Sequence, residues 1–457
     1  MAQARTAVGT FEGLAGDAWL GIPYGVAARF QAPEPAPPGD RVTQEFGPAA
    51  PQTPGPMSGL VPGMELPGKT AEQCLSLNVW APPGARDLPV MVWLHGGAFQ
   101  LGCSSLPTYD GALLAHEQQV VVVSCNYRLG VLGWLTGVPG VLPNCGRLDQ
   151  LLALTWVRDH IAAFGGDPGC VTVFGESAGA GSVVHLLAEP AAHDLFHRAI
   201  AQSPGVGQTL PPDAAAHVAA ALLTKIPDLH VADLDDILRA QAALSEELLP
   251  VVGSMPFHPS GDPLFGRTGE VPLLAGTCSQ EMSLFVPPMD LDAATLTMLL
   301  EPLLSAEAHR PLGTDAVSEV VAAYQGPTAM ADIATDVTMR LPLGRLLDEH
   351  TGPVYAYSFE YPSGHGACHA ADLPFVFGSF DVDGWRAWLG GEPDDLGRSI
   401  REAWAAFARD GVPTAKGLPT WPSYDDSRLT MVLGPTVEVV ADPLSDARAR
   451  CAPLLSS

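Results

Sequence analysis

Cys170-Val171-Thr172-Val173-Phe174-Gly175-Glu176-Ser177-Ala178-Gly179-Ala180 is the stretch on which the reading of this 457-residue chain turns. Its first five residues are apolar or β-branched, as in a buried strand of a parallel sheet. From Ala178 to Leu187 small residues and leucine dominate, which suits a helix packed against that sheet. Between them, Gly175-Glu176-Ser177-Ala178-Gly179 fits the G-x-S-x-G nucleophile elbow, a turn so tight that the serine is strained at its apex. Glycines two before and two after remove Cβ atoms that would collide with the neighbouring strand and helix. The serine hydroxyl is then expected over the sheet edge, above the positive end of the helix dipole. With 48 glycines in the chain the five letters alone could be coincidence; the strand before and the helix after make them a candidate site.

The rest of the chain supplies the matching context. Leu75 to Trp80 alternates as a half-buried strand does, while Pro89 to Leu94 and Gln119 to Asn126 are continuous apolar runs. Leu148 to Phe164 carries apolar residues at helical spacing and stops at Gly165-Gly166-Asp167-Pro168. Further strands are expected at Arg198 to Gln202, Val271 to Ala275, Val354 to Phe359 and Leu429 to Leu433, with an amphipathic helix from Arg398 to Arg409. Strand alternating with helix predicts an α/β fold, a mainly parallel sheet wrapped by helices. Residues 31–70 are rich in Pro, Gly and Ala and read as loop, but not as a linker, because strands resume at once. Residues 206–250 and 286–350 are Ala/Leu-rich and helical, as in Ala214 to Leu223, Leu234 to Ala243 and Asp315 to Tyr324. They read as insertions covering one end of the sheet within a single domain spanning residues 1–457.

Composition bounds the function. Hydrophobic residues make up 47% and charged residues 16%, which describes a globular protein with a large core. A formal charge of −27 argues against nucleic acid and anionic membranes as partners, and favours neutral over anionic substrates. Screening limits that field to about 8–10 Å. No apolar run follows Met1-Ala2-Gln3-Ala4-Arg5-Thr6, and no segment approaches the roughly 18–20 apolar residues of a membrane span. The eight cysteines show neither C-x-x-C nor zinc-ligand spacing. A reduced, cytoplasmic protein without a metal is expected.

A serine nucleophile needs a base, a carboxylate to orient it, and donors for the oxyanion. His95-Gly96-Gly97-Ala98, directly after a core strand, suits a loop that lends amide N–H groups. The base should lie downstream of the serine, where His185, His193, His197, His217, His230, His258, His309, His350, His365 and His369 are available. Most fall in predicted helices or polar surface stretches. His365 and His369 follow the strand Val354 to Phe359, past its carboxyl end, and spacing alone does not choose between them. Glu281 lies past the carboxyl end of the Val271 to Ala275 strand, whereas Glu270 precedes it. From the residues alone the acid stays open.

With these residues in view, the chain resembles the type B carboxylesterases, the family that includes the cholinesterases. The matches run nearly end to end: Gly21-Ile22-Pro23-Tyr24, Arg29-Phe30, Glu72 to Val79, His95 to Phe99, Asn126 to Gly130, Leu148-Asp149-Gln150, Phe164 to Pro168, Gly175 to Gly179, Gln280-Glu281, His369 to Gly378 and Trp404 to Gly411. The resemblance implies an α/β-hydrolase fold and a triad of Ser177, Glu281 and His369, the histidine standing three before Asp372 in an H-x-x-[ED] run. It implies oxyanion amides on Gly97, Ala98 and Ala178, with Glu176 and Ser203 beside the triad. It also implies structural ion pairs of Arg29 with Glu72 and of Arg128 with Asp167. The family's long-loop disulfide would use Cys74, but its partner position falls near Ala50, so a free thiol is expected. Met57 to Thr70 contains no aromatic residue, which removes the cation–π basis for choline esters. The loop from Asp262 to Val271 is short, and Gln280 replaces the acid usual before the catalytic Glu. The implied activity is hydrolysis of neutral small-molecule esters through an acyl-enzyme, with no cofactor. An acyltransferase using the same triad and a non-catalytic hydrolase-fold binding protein are the alternatives.

Overall fold

Apolar runs without alternation can be satisfied only where a sheet is covered on both faces, and this chain uses them in that way. The computed structural model describes residues 2–54, 59–65, 68–205, 209–253, 255–261, 264–308, 310–382, 384–391 and 393–455. Ten strands form one sheet: β1 (Ala18–Pro23), β2 (Ser76–Trp80), β3 (Leu88–Leu94), β4 (Val121–Cys125), β5 (Gly166–Glu176), β6 (Arg198–Gln202), β7 (Leu273–Cys278), β8 (Val354–Phe359), β9 (Leu429–Leu433) and β10 (Glu438–Ala441). Their order is β10-β9-β8-β7-β6-β5-β3-β4-β2-β1. Every pair from β9 across to β4 is parallel, and antiparallel pairing occurs only at the two margins. Alternate residues split between two cores. Val90, Val92, Leu94 and Val123 pack on one face, and Met91, Trp93, Phe174 and Ile200 on the other.

Helices cover both faces, among them α1 (Cys145–His160), α2 (Ala178–Leu187), α3 (Pro212–Lys225), α4 (Leu234–Glu247), α5 (Ala293–Glu307), α6 (Thr314–Ala322), α7 (Ala329–Thr335), α8 (Leu341–Glu349) and α9 (Asp394–Asp410). The expected fold class holds: this is an α/β-hydrolase architecture with a mostly parallel sheet. The helical stretch 286–350 builds a smaller core from Leu296, Leu300, Val317, Val320 and Ile333, shared with Ala447, Cys451 and Leu454 near the C-terminal end. Between α7 and α8 the chain makes a π-helical turn, Asp336–Arg340. Of the expected features, residues 55–58 and 66–67 of the long loop, 206–208 at the start of the first insertion, 262–263 and His309 lie outside the described residues.

Two boundaries differ for identifiable reasons. β7 begins at Leu273 rather than Val271, because Pro272 has no N–H to give the ladder; it then pairs as far as Cys278 opposite Phe359. The helix expected to end at Phe164 keeps α-geometry only to His160 and tightens into a 3₁₀ turn at Ile161–Phe164. All eight cysteines are free, and Cys74 is buried. Among the described residues no helix is long and apolar enough to cross a membrane.

One ion pair is as expected and one is corrected. Arg29 grips Glu72 through two bonds of 2.6 and 2.7 Å. Arg128 does not meet Asp167. It leaves the carboxyl end of β4, whereas Asp167 sits at the amino end of the parallel β5, nine residues or roughly 30 Å from the other edge. Asp167 instead accepts the Gly169 N–H at 2.8 Å. The partner of Arg128 is Asp149 on α1, held by Nε at 2.8 Å, Nη2 at 2.7 Å and the Arg128 backbone N–H at 3.0 Å. Arg128 also donates to the carbonyls of Ala28, Gln31 and Cys145, so one buried cation ties the N-terminal segment to the sheet edge. Breaking a buried pair leaves the surviving charge desolvated. Arg128→Ala should therefore lower stability by about 3–5 kcal/mol. Arg128→Met combined with Asp149→Leu should recover only part of it, since the three carbonyls stay unserved; denaturant unfolding of the three proteins checks the order.

Candidate active site

The turn after β5 shows why the sequence needs glycine there. A Cβ on Gly179 would lie 2.0 Å from the Leu94 carbonyl oxygen, so α2 can approach β3 this closely only without a side chain. Ser177 takes φ 57°, ψ −125° at the apex, and its N–H is held by the Gln202 carbonyl at 2.9 Å. Left-handed backbone recurs nearby at Ala98, Phe99, Ser203 and Ala370, each paying strain in a well-packed surround.

The His95-Gly96-Gly97-Ala98 loop leaves β3 beside this turn. Gly97 has φ 117°, and a Cβ there would meet the Leu101 carbonyl at 2.2 Å. The Gly97 carbonyl accepts from the N–H groups of Gln100 and Leu101, which curls the loop into a tight turn. Among the described residues the N–H groups of Gly97, Ala98 and Ala178 donate to no protein acceptor, as expected of amides reserved for an incoming oxyanion. His95 is fully buried and stacks on Tyr127 with ring centroids 4.5 Å apart; burial pushes its imidazole down to about 4 and keeps it neutral. The Tyr127 hydroxyl donates to the His95 carbonyl at 2.6 Å, which pins the start of the loop.

Glu281 and His369 meet across the sheet's carboxyl edge. Glu281 opens a short 3₁₀ turn after β7 and is wholly buried. One carboxylate oxygen accepts the Cys278 N–H at 2.8 Å; the other accepts His369 Nδ1–H at 2.6 Å. The His369 backbone N–H donates to the Glu281 carbonyl at 3.1 Å, so the two loops are clasped twice. His365, the other candidate, is exposed, and its ring lies near Trp388. Gln280, noted only as a departure from the family pattern, accepts the Ala367 N–H at 3.1 Å and gives its own N–H to the Ala367 carbonyl. It staples the acid loop to the histidine loop.

Glu176 is buried beside this pair, with Oε1 3.2 Å from His369 Nε2. Burial, opposed by His369, pushes its carboxyl up to about 8. Burial alone would push the His369 imidazole down, but the Glu176 and Glu281 carboxylates outweigh it and carry it up to about 9. Ser203 is fully buried at the end of β6; its N–H reaches the Gly276 carbonyl at 2.8 Å, while its hydroxyl has no partner among the described residues. A second buried carboxyl, Asp372, was visible in the sequence only as part of the histidine run. It accepts from Gln202 at 2.8 Å and Tyr357 at 3.2 Å, and burial carries it up to about 6. Nothing local in the sequence signals Gln202 or Tyr357, because their use depends on neighbouring strands.

Ser177 and His369 line two cavities in common. One of about 60 Å³ is walled by Gly97, Leu101, Glu176 and Leu284. The other, of about 300 Å³, is walled by Ala98, Ala178, Met282, Phe285 and residues of α5 and the π turn. The serine hydroxyl and the imidazole make no hydrogen bond with one another here. The set can nevertheless present a nucleophile, an oriented base and free amide donors to one ester placed across both cavities. Among the described residues no cluster of His, Cys, Asp and Glu could hold a metal ion.

Comparison with known proteins agrees with this geometry. The family described as "Carboxylesterase family" matches residues 4–450. Para-nitrobenzyl esterase of Bacillus subtilis (strain 168) is 36% identical over 475 residues, covering 95% of this chain and 94% of the relative. Human cocaine esterase is 33% identical, covering 80% of this chain and 73% of its own. The solved structure of a thermophilic PNB esterase superposes with a TM-score of 0.85 at 35% identity, over 98% of this chain and 99% of that one. This chain belongs to the carboxylesterase family and is a serine carboxylesterase.

Proposed function

We propose that the esterase cleaves neutral small-molecule esters in two acyl-transfer steps run by Ser177, His369 and Glu281. His369 Nε2 takes the hydroxyl proton as Ser177 Oγ attacks the ester carbonyl. The oxyanion is held by the N–H groups of Gly97, Ala98 and Ala178. Glu281, accepting Nδ1–H, stabilises the imidazolium. As the intermediate collapses, the C–O bond to the alcohol breaks and the Nε2 proton leaves with it. Water then gives a proton to His369 as it attacks the acyl carbonyl; the C–O bond to Ser177 Oγ breaks, Oγ takes that proton back, and the acid leaves. The observation that carries this reading is the 2.6 Å contact between buried Glu281 and His369 Nδ1, which orients the imidazole and leaves Nε2, 3.2 Å from Glu176, to act as base once it has lost its proton. The serine–imidazole bond is then made in the substrate complex, as catalytic bonds often are. The free thiols support a reducing, cytoplasmic setting.

Assay on short 4-nitrophenyl esters separates the roles. Ser177→Ala should lose about 10⁴-fold or more in kcat, and full turnover in that variant would remove the serine from the chemistry. His369→Ala should fall as far while His365→Ala stays near wild type; the opposite ranking assigns the base to 365.

The pH profile follows from the raised imidazole. His369 acts as base only after losing its proton, so kcat/KM should climb with pH toward about 9. Removing the Glu176 charge takes away a cause that raises His369. Glu176→Gln should therefore move the acid limb of the profile down by about one pH unit or more. An unmoved limb would show that Glu176 does not set it.

A further inference from the structure

The loop that bears the Gly97 and Ala98 amides is strained, and a side chain remote from the chemistry holds its exit. Gly97, Ala98, Phe99 and Gly102 all have positive φ, at 117°, 53°, 59° and 100°. Backbone of this kind persists only where its surroundings over-determine it. At the entry the Tyr127 hydroxyl holds the His95 carbonyl. At the exit Gly102 packs back on the entry: a Cβ there would lie 2.4 Å from the Gly96 carbonyl oxygen and 2.6 Å from His95 Nδ1. Gln52, buried within the long Pro- and Gly-rich stretch, grips that same glycine. Its Oε1 accepts the Gly102 N–H at 2.8 Å, and its Nε2 donates to the Gly102 carbonyl at 2.9 Å. The second Nε2 proton goes to the Ala50 carbonyl at 3.0 Å. The buried Asn126 amide repeats the tie beside it, accepting the Ser104 N–H at 2.8 Å and donating to the Pro48 carbonyl at 3.0 Å.

We propose that Gln52 is a positioning residue for ester hydrolysis: by pairing with both backbone groups of Gly102 it holds the Gly97 and Ala98 N–H groups where the oxyanion forms. The inference rests on the esterase reading above and adds to it a residue that touches neither substrate nor triad. A primary amide carries a donor and an acceptor in one plane, so it can pair with a backbone N–H and C=O as a neighbouring strand does. Gln52 uses both edges of that amide on one residue, which fixes the orientation of Gly102 as well as its distance. Gly102 in turn bears on the Gly96 carbonyl, one residue before the first donor, so its placement passes directly to the amides. Preorganised donors stabilise an oxyanion because they need not reorient as charge develops. A loop in left-handed backbone that lost its exit clamp would relax, and the donors would then have to be gathered in the transition state.

Two variants test this. Gln52→Met keeps the length of the side chain and removes its donor and acceptor; Gln52→Glu keeps the acceptor and sets a carboxylate against the Gly102 and Ala50 carbonyls. Intact sites are counted by the 4-nitrophenol released when a dialkyl 4-nitrophenyl phosphate is run to completion, so partial unfolding does not enter kcat. On 4-nitrophenyl acetate both variants should lose about tenfold or more in kcat per site with KM within about threefold, short of the roughly 10²–10³-fold cost of deleting a donor outright. Inhibition by a trifluoromethyl ketone, whose serine adduct carries the oxyanion, should weaken by a similar factor. Wild-type kcat per site in Gln52→Met overturns the proposal. A lower kcat with unchanged ketone affinity also overturns it, because the donors are then still in place. Hydrogen exchange in wild type needs no variant: the Gly102 N–H should be protected, and exchange at the rate of an exposed loop overturns the proposal even if neither variant folds. Wild type that shows neither turnover nor release from the phosphate would instead refute the esterase reading itself.

Discussion

The site depends on one backbone contact, the approach of α2 to the end of β3 at Gly179 and Leu94. A Cβ at Gly179 would sit 2.0 Å from the Leu94 carbonyl, so no other residue permits the approach. The next residues after Leu94 are the loop that bears the Gly97 and Ala98 amides, and the residue before Gly179 bears the third. The same contact thus sets the height of Ser177 and the spacing of the donors around it. The parallel sheet makes this possible by ending β3, β5, β6, β7 and β8 at one edge, where each hands over a loop with a candidate side chain or amide.

Around that edge the protein buries more ionisable groups than folding alone would favour. Glu176, Glu281, His369 and Asp372 lie within one cluster, and burial pushes the Glu176 and Asp372 carboxyls well above their usual range. Backbone amides and neutral donors offset part of the cost: Cys278 N–H for Glu281, Gln202 and Tyr357 for Asp372. The Glu176 and Glu281 carboxylates face the imidazole, which is why its proton is held above the ordinary histidine range. Stability is surrendered here to hold an imidazole whose orientation is over-determined.

The sheet edge carries Ser177, Glu281 and His369, and helices outside the sheet wall the cavity beside them. α5, α7 and the π turn Asp336–Arg340 wall the larger cavity, and a small apolar core that the C-terminal helix shares packs against α5 and α7. A π turn adds a residue to the helical repeat and swings Thr338 and Met339 to the cavity side.

Much of this was legible in the residues. Continuous apolar runs marked β3 and β4, because only a two-sided burial tolerates such runs, and β8 and β9 were expected at their true bounds. Gly175, Gly179 and Gly97 marked the elbow and the amide loop, because close backbone approach excludes a Cβ whatever the rest of the chain does. Family likeness singled out Glu281 and His369 where spacing left choices open, and it misassigned the partner of Arg128, since the edge of a sheet on which a side chain stands is not written in its local sequence. Sequence by itself determined the elements, their order and the strained turn, all governed by rules that act over a few residues. Only the tertiary structure decided that Asp149 answers Arg128, that Gln280 staples two loops and that Glu176 faces His369. These are distances between residues far apart along the chain, and packing sets them.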